Sequence, residues 1–292
     1  MEKDKRNQIL KRIASISILI LLIVLLALIS NVTDKNFEYI VDESKLQIIY
    51  FDVGQADSTL IMNNGKTILI DGGNDSDGDN LVKYIKSQEI SKIDTVIATH
   101  LHADHIGGLD DIIDNFDIGT VYMPDTINTD KQVEEFLDAM ERKNLSYEVP
   151  EIGEKFKNGL ADCEVMAIDN EAKDINNSSI VIQMNYLEQS YLFMGDSEKE
   201  VEDSREWSKV NVLKVGHHGS NTSSTEKFLN QVKPEITIIS VGLNNQYKHP
   251  SVEVLNRLKN LHTTIYRTDE DGSLLLESDG KQNIIKKIKT NN

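Results

Sequence analysis

Three imidazoles and a carboxylate fall within six positions of Thr99-His100-Leu101-His102-Ala103-Asp104-His105-Ile106-Gly107-Gly108, in a chain of 292 residues that holds only seven histidines. Histidine nitrogen and aspartate oxygen suit Zn²⁺, Mn²⁺ or Fe rather than calcium. A His-x-His pair and an Asp-His pair from one loop make two ligand clusters, and two clusters imply two metal ions held side by side. An apolar run, Asp94-Thr95-Val96-Ile97-Ala98, leads straight into the motif and reads as a β-strand. Such a strand would deliver His100 and His102 to one side of a tight loop, with Asp104 and His105 turned toward a neighbouring position. Gly107-Gly108 supplies the turn that this context requires. A solvated loop that happens to be rich in histidine is the competing reading, and the clustering of three of seven histidines argues against it.

A second candidate is Gly216-His217-His218-Gly219-Ser220. Adjacent side chains point in different directions, so both histidines are not expected on one ion. His217 is the expected ligand, because the strand read over Val210–Val215 ends just before it, and His218 would then face substrate; the reverse assignment stays open. His249, before Pro250, is either an ordinary loop histidine or a donor to a phosphoryl oxygen or leaving group. Asp71 ends a strand at Asp-Gly-Gly, where a carboxylate can orient a ligand histidine from behind. Asp52 and Asp57 either assist on the same face or cap turns. Ser220 lacks a G-x-S-x-G setting and reads as a hydrogen-bonding residue, not a nucleophile. The acidic loop 75–79 invites a calcium reading, but Lys86 stands where the closing Glu of such a loop belongs, so a solvated helix cap is expected. His262 reads as structural.

The elements that must position these groups alternate along the chain. Residues 45–53, 58–62 and 67–70 read as strands, the last two joined by the hairpin signal Asn63-Asn64-Gly65. A helix is expected over 80–88, a strand over 95–99, a helix within 109–116, a strand over 119–123 and an amphipathic helix over 130–143. The second half repeats the outline, with strands over 165–168, 179–184, 191–194 and 210–215 and helices over 197–206, 224–232 and 252–261. Strands over 236–241, 264–267, 273–277 and 283–288 complete it. Two halves of this kind predict an α/β fold of two packed sheets with helices outside, in one domain over 46–292.

The N-terminus differs in kind. Residues 13–29 (IASISILILLIVLLALI) carry no charge and, at ~1.5 Å per residue, nearly span a hydrocarbon core of ~30 Å. Lys3, Lys5, Arg6, Lys11 and Arg12 precede it, so the positive-inside tendency predicts a cytoplasmic basic tail and an anchor over 1–30 and a polar linker over 31–45. The body would then be extracytoplasmic on a single-pass cell-membrane protein. The exit Ala27-Leu28-Ile29-Ser30-Asn31 is a poor signal-peptidase match, so an uncleaved anchor is expected. Cys163 is the only cysteine and leaves the body without an internal disulfide. Residues 1–30 carry five basic and two acidic groups; with a chain total of −17, the remainder carries −20. So acidic a body is ill suited to unspecific binding of long nucleic acid, which relies on Lys and Arg at phosphates.

Together these motifs resemble the metallo-β-lactamase superfamily, and within it the hydrolase domain at the C-terminal end of ComEC competence proteins and its free-standing relatives. The resemblance spans roughly residues 46–277. It rests on Phe51-Asp52-Val53-Gly54-Gln55-Ala56-Asp57, Leu69-Ile70-Asp71-Gly72-Gly73, the histidine motif, Asn176-Asn177-Ser178-Ser179, Gly195-Asp196, Gly216-His217-His218-Gly219-Ser220, His249-Pro250 and Arg267-Thr268-Asp269. It implies a four-layer αβ/βα sandwich and two divalent ions, Zn or Mn. It also implies that Asp196 bridges them, that Asp104, His105 and His217 complete one site, and that His100 and His102 hold the other. Many superfamily members add a histidine to the latter site from a loop between the halves. No histidine lies between His105 and His217, and Asn176, Asn177 and Ser179 stand in the matching segment, so an open site with room for water or a substrate oxygen is expected.

The chemistry expected of such a centre is hydrolysis of a phosphodiester by a hydroxide shared between the ions, with Asp104 orienting it and His218 or His249 assisting the leaving oxygen. A cell-wall polymer and single-stranded nucleic acid are the candidate substrates, the membrane is contacted through one helix, and no protein partner is expected. Hydrolysis of a lactone or β-lactam carbonyl is the alternative enzyme reading, and a non-catalytic metal-binding surface module the alternative outside enzymes.

Overall fold

The computed structural model describes residues 16–18, 20, 21 and 37–290. It divides into two units, one of residues 1–39 with 292 and one of residues 40–291. The expected membrane-spanning segment over 13–29 lies mostly outside the described residues, and among those described no helix is long and apolar enough to cross a membrane. The polar stretch read as a linker joins the body from Ile40 onward. Ile40 N–H donates to Gln88 Oε1 at 2.9 Å, and Gln47 Nε2 donates to Ile40 O at 2.7 Å.

The body is built on two mixed sheets. The first contains β1 (Leu46–Tyr50), β2 (Thr59–Asn63), β3 (Lys66–Ile70), β4 (Lys92–Ile97), β5 (Asp117–Tyr122) and β6 (Tyr147–Glu148). The second contains β7 (Lys155–Asn158), β8 (Ala161–Ala167), β9 (Val181–Tyr186), β10 (Gln189–Phe193), β11 (Val212–Lys214), β12 (Ile236–Ile239) and β13 (Thr264–Arg267). The chain then returns to the first sheet with β14 (Ser273–Ser278) and β15 (Asn283–Ile288), giving the orders β15-β14-β1-β2-β3-β4-β5-β6 and β13-β12-β11-β10-β9-β8-β7. Each sheet is antiparallel on one side and parallel on the other: β3, β4, β5 and β6 run parallel in the first, β10 to β13 in the second.

Alternation along the strands explains why the sheets face each other. Ile182, Met184 and Tyr186 of β9 and Tyr191 and Phe193 of β10 enter a core shared with Leu46, Ile48 and Tyr50 of β1. The intervening Val181, Leu192 and Leu213 pack on the other face, against Phe228, Leu229, Val254 and Leu258 from α6 (Glu226–Val232) and α7 (Val252–Asn260), once the preceding helices are counted. Those are α1 (Gly78–Ser87), α2 (Ala103–Ile106), α3 (Leu109–Asn115), α4 (Lys131–Arg142) and α5 (Lys199–Asp203); α8 (Thr268–Asp271) follows. Each fully buried aliphatic or aromatic side chain contributes about 1.5–3 kcal/mol, so this double core carries the stability that disulfides supply in other small folds. Cys163 itself is free and buried, and burial pushes its thiol up to about 12.

Most expected elements lie within two or three residues of their places, with three informative differences. The histidine motif is a one-turn helix, α2, rather than a plain loop. The polar helix expected over 197–206 shrinks to α5, because Asp196 and Ser197 are buried at a strand exit. β6 and β7 are too short for a periodic signal: both residues of β6 are exposed, and β7 turns only Phe156 and Asn158 inward between exposed Lys155 and Lys157. The acidic loop forms a short 3₁₀ turn over Asp75–Asp77 with a capping box, Asn74 N–H donating to Asp77 Oδ2 at 2.9 Å, the expected helix cap.

Candidate metal centre

Strand ends deliver nearly every candidate group. Asp71 follows β3, His100 follows β4, Asp196 follows β10, and His217 and His218 follow β11. All leave the carboxyl ends of parallel strands, where α/β sheets open a crevice free of side-chain packing. α2 then separates the ligand pairs: His102 stands at its N-cap, and His105 N–H donates to His102 O at 3.0 Å, so Asp104 and His105 lie one turn beyond His100 and His102.

Three residues of the site carry backbone strain. Asp71, His217 and His218 take left-handed conformations with φ of 59°, 49° and 52°, uncommon for non-glycine residues and found where function over-determines geometry. Two consecutive left-handed residues splay the adjacent imidazoles. Gly195 also has a positive φ, 53°, and a Cβ there would meet Ser179 Cβ at 2.9 Å and Thr99 Cβ at 3.0 Å. Only glycine lets Asp196 emerge this close to the neighbouring loops.

The hydrogen bonds orient the rings. His105 Nδ1 lies 2.8 Å from Asp71 Oδ2, so Nε2 faces Asp196 Oδ1 at 3.3 Å. Asp71 is itself fixed by Thr99, whose N–H and Oγ1 donate at 2.8 Å each. With its proton on Asp71, Thr99 Oγ1 can only accept from His100 Nδ1 at 3.3 Å, which leaves a lone pair on His100 Nε2. That Nε2 stands 3.0 Å from His102 Nδ1. Two nitrogens on one tetrahedral ion with bonds of ~2.0–2.1 Å sit about 3.3 Å apart. His218 Nδ1–H donates to Ser240 O at 3.0 Å, so its Nε2 lone pair faces Asp104 Oδ2 at 3.3 Å and Asp196 Oδ2 at 3.5 Å.

Burial and charge work against each other here. Burial favours neutral rings, yet Asp196 and Asp71 hold His105 well above the ordinary histidine value, and Asp196 and Asp104 raise His218. Burial likewise opposes ionisation of Asp104 and Asp196, but the neighbouring imidazoles outweigh it and hold both carboxyls low. Burial and then His105 push His100 well below the usual range. His249 is pulled down to about 4, by burial first and then by His217 and His218.

Among the described residues, the buried atoms without a hydrogen-bond partner include His105 Nε2, His218 Nε2 and Asp196 Oδ1. Leaving a buried polar atom unpaired costs about 1–3 kcal/mol, and all three converge on one pocket. Asp57, His105, Asp196 and His218 each offer a ligand atom, all within 4.8 Å of one another. The donor set is imidazole and carboxylate, and it fits a divalent cation.

His217 was the expected ligand, but the four-residue group contains His218 instead. His217 Nε2 is 3.8 Å from Asp196 Oδ2, and its Nδ1 lies 2.9 Å from Glu198 Oε1, which also accepts from Thr222 Oγ1. His249 reaches the rim with its ring 5.6 Å from that of His217 and 5.7 Å from that of Tyr247. Uncharged at pH 7, it can donate an N–H but does not arrive as a charged acid. Ser179 Oγ accepts from Asp196 N–H at 3.0 Å and lies 3.4 Å from His100 Nδ1. Asn177 Oδ1 accepts from Glu198 N–H at 2.9 Å, and Asn176 Oδ1 is buried without a partner. Ser220 Oγ bonds Thr222 Oγ1 at 2.8 Å. Asp52 Oδ1 accepts from Gly54 N–H at 3.3 Å and so caps its own turn. Sequence reasoning missed Glu198, Ser240 and Lys214, none of which belongs to a ligand motif; Asp57, read as assisting on the same face or capping a turn, stands in the four-residue group.

The family profile of the metallo-beta-lactamase superfamily matches residues 51–242. The chain belongs to the metallo-beta-lactamase superfamily. Among curated superfamily relatives it is 29% identical over 256 residues to ComE operon protein 3 of Bacillus subtilis, covering 79% of this chain and 33% of that protein. It is 30% identical over 236 residues to Recombination protein 2 of Haemophilus influenzae, covering 78% and 28%. The chain thus spans about a third of the length of these relatives. The crystal structure of the metallo-beta-lactamase fold protein YhfI from Bacillus subtilis shares the fold, with a TM-score of 0.57 at 10% identity over 80% of this chain and 100% of that one. The superfamily and the Asp/His cluster together support a metal-dependent hydrolase.

Proposed function

We propose that this chain is a two-ion phosphodiesterase. The convergence of unpartnered His105 Nε2, His218 Nε2 and Asp196 Oδ1 on one buried pocket carries the reading. His100 and His102 would hold one ion, Asp104, His105 and His218 the other, with Asp196 shared. Two divalent ions, Zn²⁺ or Mn²⁺, supply Lewis acidity toward a phosphoryl oxygen and an activated water at neutral pH.

The residues do the rest. Asp104, held ionised beside His218, orients the attacking water by accepting a hydrogen bond from it. Asp71 and Ser240 O fix the ring directions of His105 and His218, so no reorganisation is needed during reaction. His249 donates an N–H to the leaving oxygen from an uncharged ring. Ser179 occupies the place where a third imidazole would close the His100–His102 site, leaving an opening for a substrate oxygen. A relative named for recombination is consistent with nucleic acid as the phosphodiester, and a cell-wall polymer fits the same chemistry. The basic tail and the apolar run 13–29 support attachment to the cell membrane with the body outside it.

Turnover of bis(p-nitrophenyl) phosphate and of nitrocefin, by protein loaded with Mn²⁺ or Zn²⁺, tests the reading. Hydrolysis of the phosphodiester is expected. Turnover of nitrocefin alone would replace this reading with carbonyl hydrolysis.

A further inference from the structure

Beneath the histidine cluster lies an ion pair that the mechanism above does not use. Lys214, at the end of β11, is buried beside Thr59, Ile70, Asp71 and Phe193 as well as Asp57. Its Nζ donates to Asp57 Oδ2 at 2.7 Å and to Val215 O at 3.2 Å. Both partners are 4% exposed. Burying such a pair costs several kcal/mol per ion and is often no better for stability than an apolar pair of the same volume. Stability therefore gives no reason to keep it here.

Asp57 is fixed on every side but one. Its N–H donates to Asp104 O at 3.0 Å, its carbonyl accepts from Gly73 N–H at 2.8 Å, and its Oδ2 is taken by Lys214. The remaining oxygen, Oδ1, is buried and has no hydrogen-bond partner among the described residues. A carboxylate oxygen of Asp57 lies within 4.8 Å of the ligand atoms of His105, Asp196 and His218. Lys214 ends a strand of the second sheet and Asp57 lies in the loop between β1 and β2 of the first, so the pair ties the two halves of the site together.

We propose that Asp57 Oδ1 is a further oxygen ligand to the ion held by His105 and His218, and that Lys214 is the positioning residue that aims it. This rests on the two-ion reading above. The cation occupies one carboxylate oxygen, so Asp57 can offer only the other, and it offsets one negative charge in a pocket that already contains Asp71, Asp104 and Asp196.

Asp57→Asn is the direct test. The amide keeps an acceptor for Lys214 and turns a non-ligating NH₂ toward the ions. A second variant, Asp57→Asn with Lys214→Met, removes both buried charges and guards against misfolding of the first. The readouts are ions per chain by elemental analysis at buffered free Zn²⁺, chelator competition, and the visible absorption of bound Co²⁺. Expected is at least about tenfold weaker binding of one ion and a changed Co²⁺ spectrum, with the melting temperature of metal-free Asp57→Asn close to that of the parent. Parent-like affinity and an unchanged Co²⁺ spectrum in a folded variant would overturn the proposal while leaving the two-ion reading intact. A parent protein that binds no ion would overturn both.

Discussion

His217 and His218 differ by one position in sequence and by a whole environment in space. His218 is sealed, with Nδ1 tied to Ser240 O, whereas His217 is 22% exposed and tied to Glu198. Replacing His218 by Ala should therefore remove about one ion per chain, while His217→Ala should leave the metal count near that of the parent, as read by elemental analysis. Equal losses in both would return His217 to the ligand set. This choice was not legible in the sequence, because it turns on two consecutive left-handed residues and on the Ser240 carbonyl just past β12. His105 and Asp196 were legible as candidates and both stand in the four-residue group. Protonation adds a second expectation. In the metal-free protein the surrounding carboxylates raise His105 and His218 above 6.5, so the stabilisation they contribute is present below that value and is lost as pH rises through their raised values. An ion must displace those protons. Binding should tighten by about tenfold or more between pH 6 and pH 8, with proton release measurable by calorimetry in buffers of different ionisation enthalpy; affinity independent of pH would contradict this.

Two glycines separate what a turn requires from what the site requires. Asn64 and Gly65 both have positive φ, 49° and 70°, in the two-residue hairpin between β2 and β3, and a Cβ on Gly65 would meet nothing nearer than 3.8 Å. Gly65→Ala should cost about 1 kcal/mol from backbone strain alone and leave metal binding unchanged. At Gly195 the same strain is joined by contacts of 2.9–3.0 Å with Ser179 and Thr99. Gly195→Ala should cost about 2–4 kcal/mol in denaturant unfolding and weaken metal binding by displacing Asp196; a variant with parent stability and metal content would refute the packing argument. The hairpin was legible because Asn-Gly carries its own backbone preference. The crowding at Gly195 was not, since it depends on residues 16 and 96 positions away in sequence.

Across the molecule, six of the seven histidines gather where the parallel strands of two facing sheets end, while the body around them is strongly acidic, with the whole chain at −17. Periodicity sufficed for the two halves. It could not show β6 and β7, which are two and four residues long, or the Lys214–Asp57 pair, which spans 157 positions. The acidity bears on substrate capture. With a single-stranded oligonucleotide, kcat/KM should rise as salt increases from about 20 to 150 mM, since screening at a Debye length of ~8 Å relieves repulsion, whereas a small nitrophenyl diester should show little change. A fall in oligonucleotide turnover with salt would mean that a cationic surface captures the polymer. The most direct test of the two-ion centre is anomalous diffraction from crystals of the body grown with Mn²⁺ or Zn²⁺. Two peaks are expected, one between His100 Nε2 and His102 Nδ1 and one among His105 Nε2, His218 Nε2 and Asp104, with Asp196 reaching both. No anomalous density near these atoms, or Asp196 turned away from them, would contradict the account.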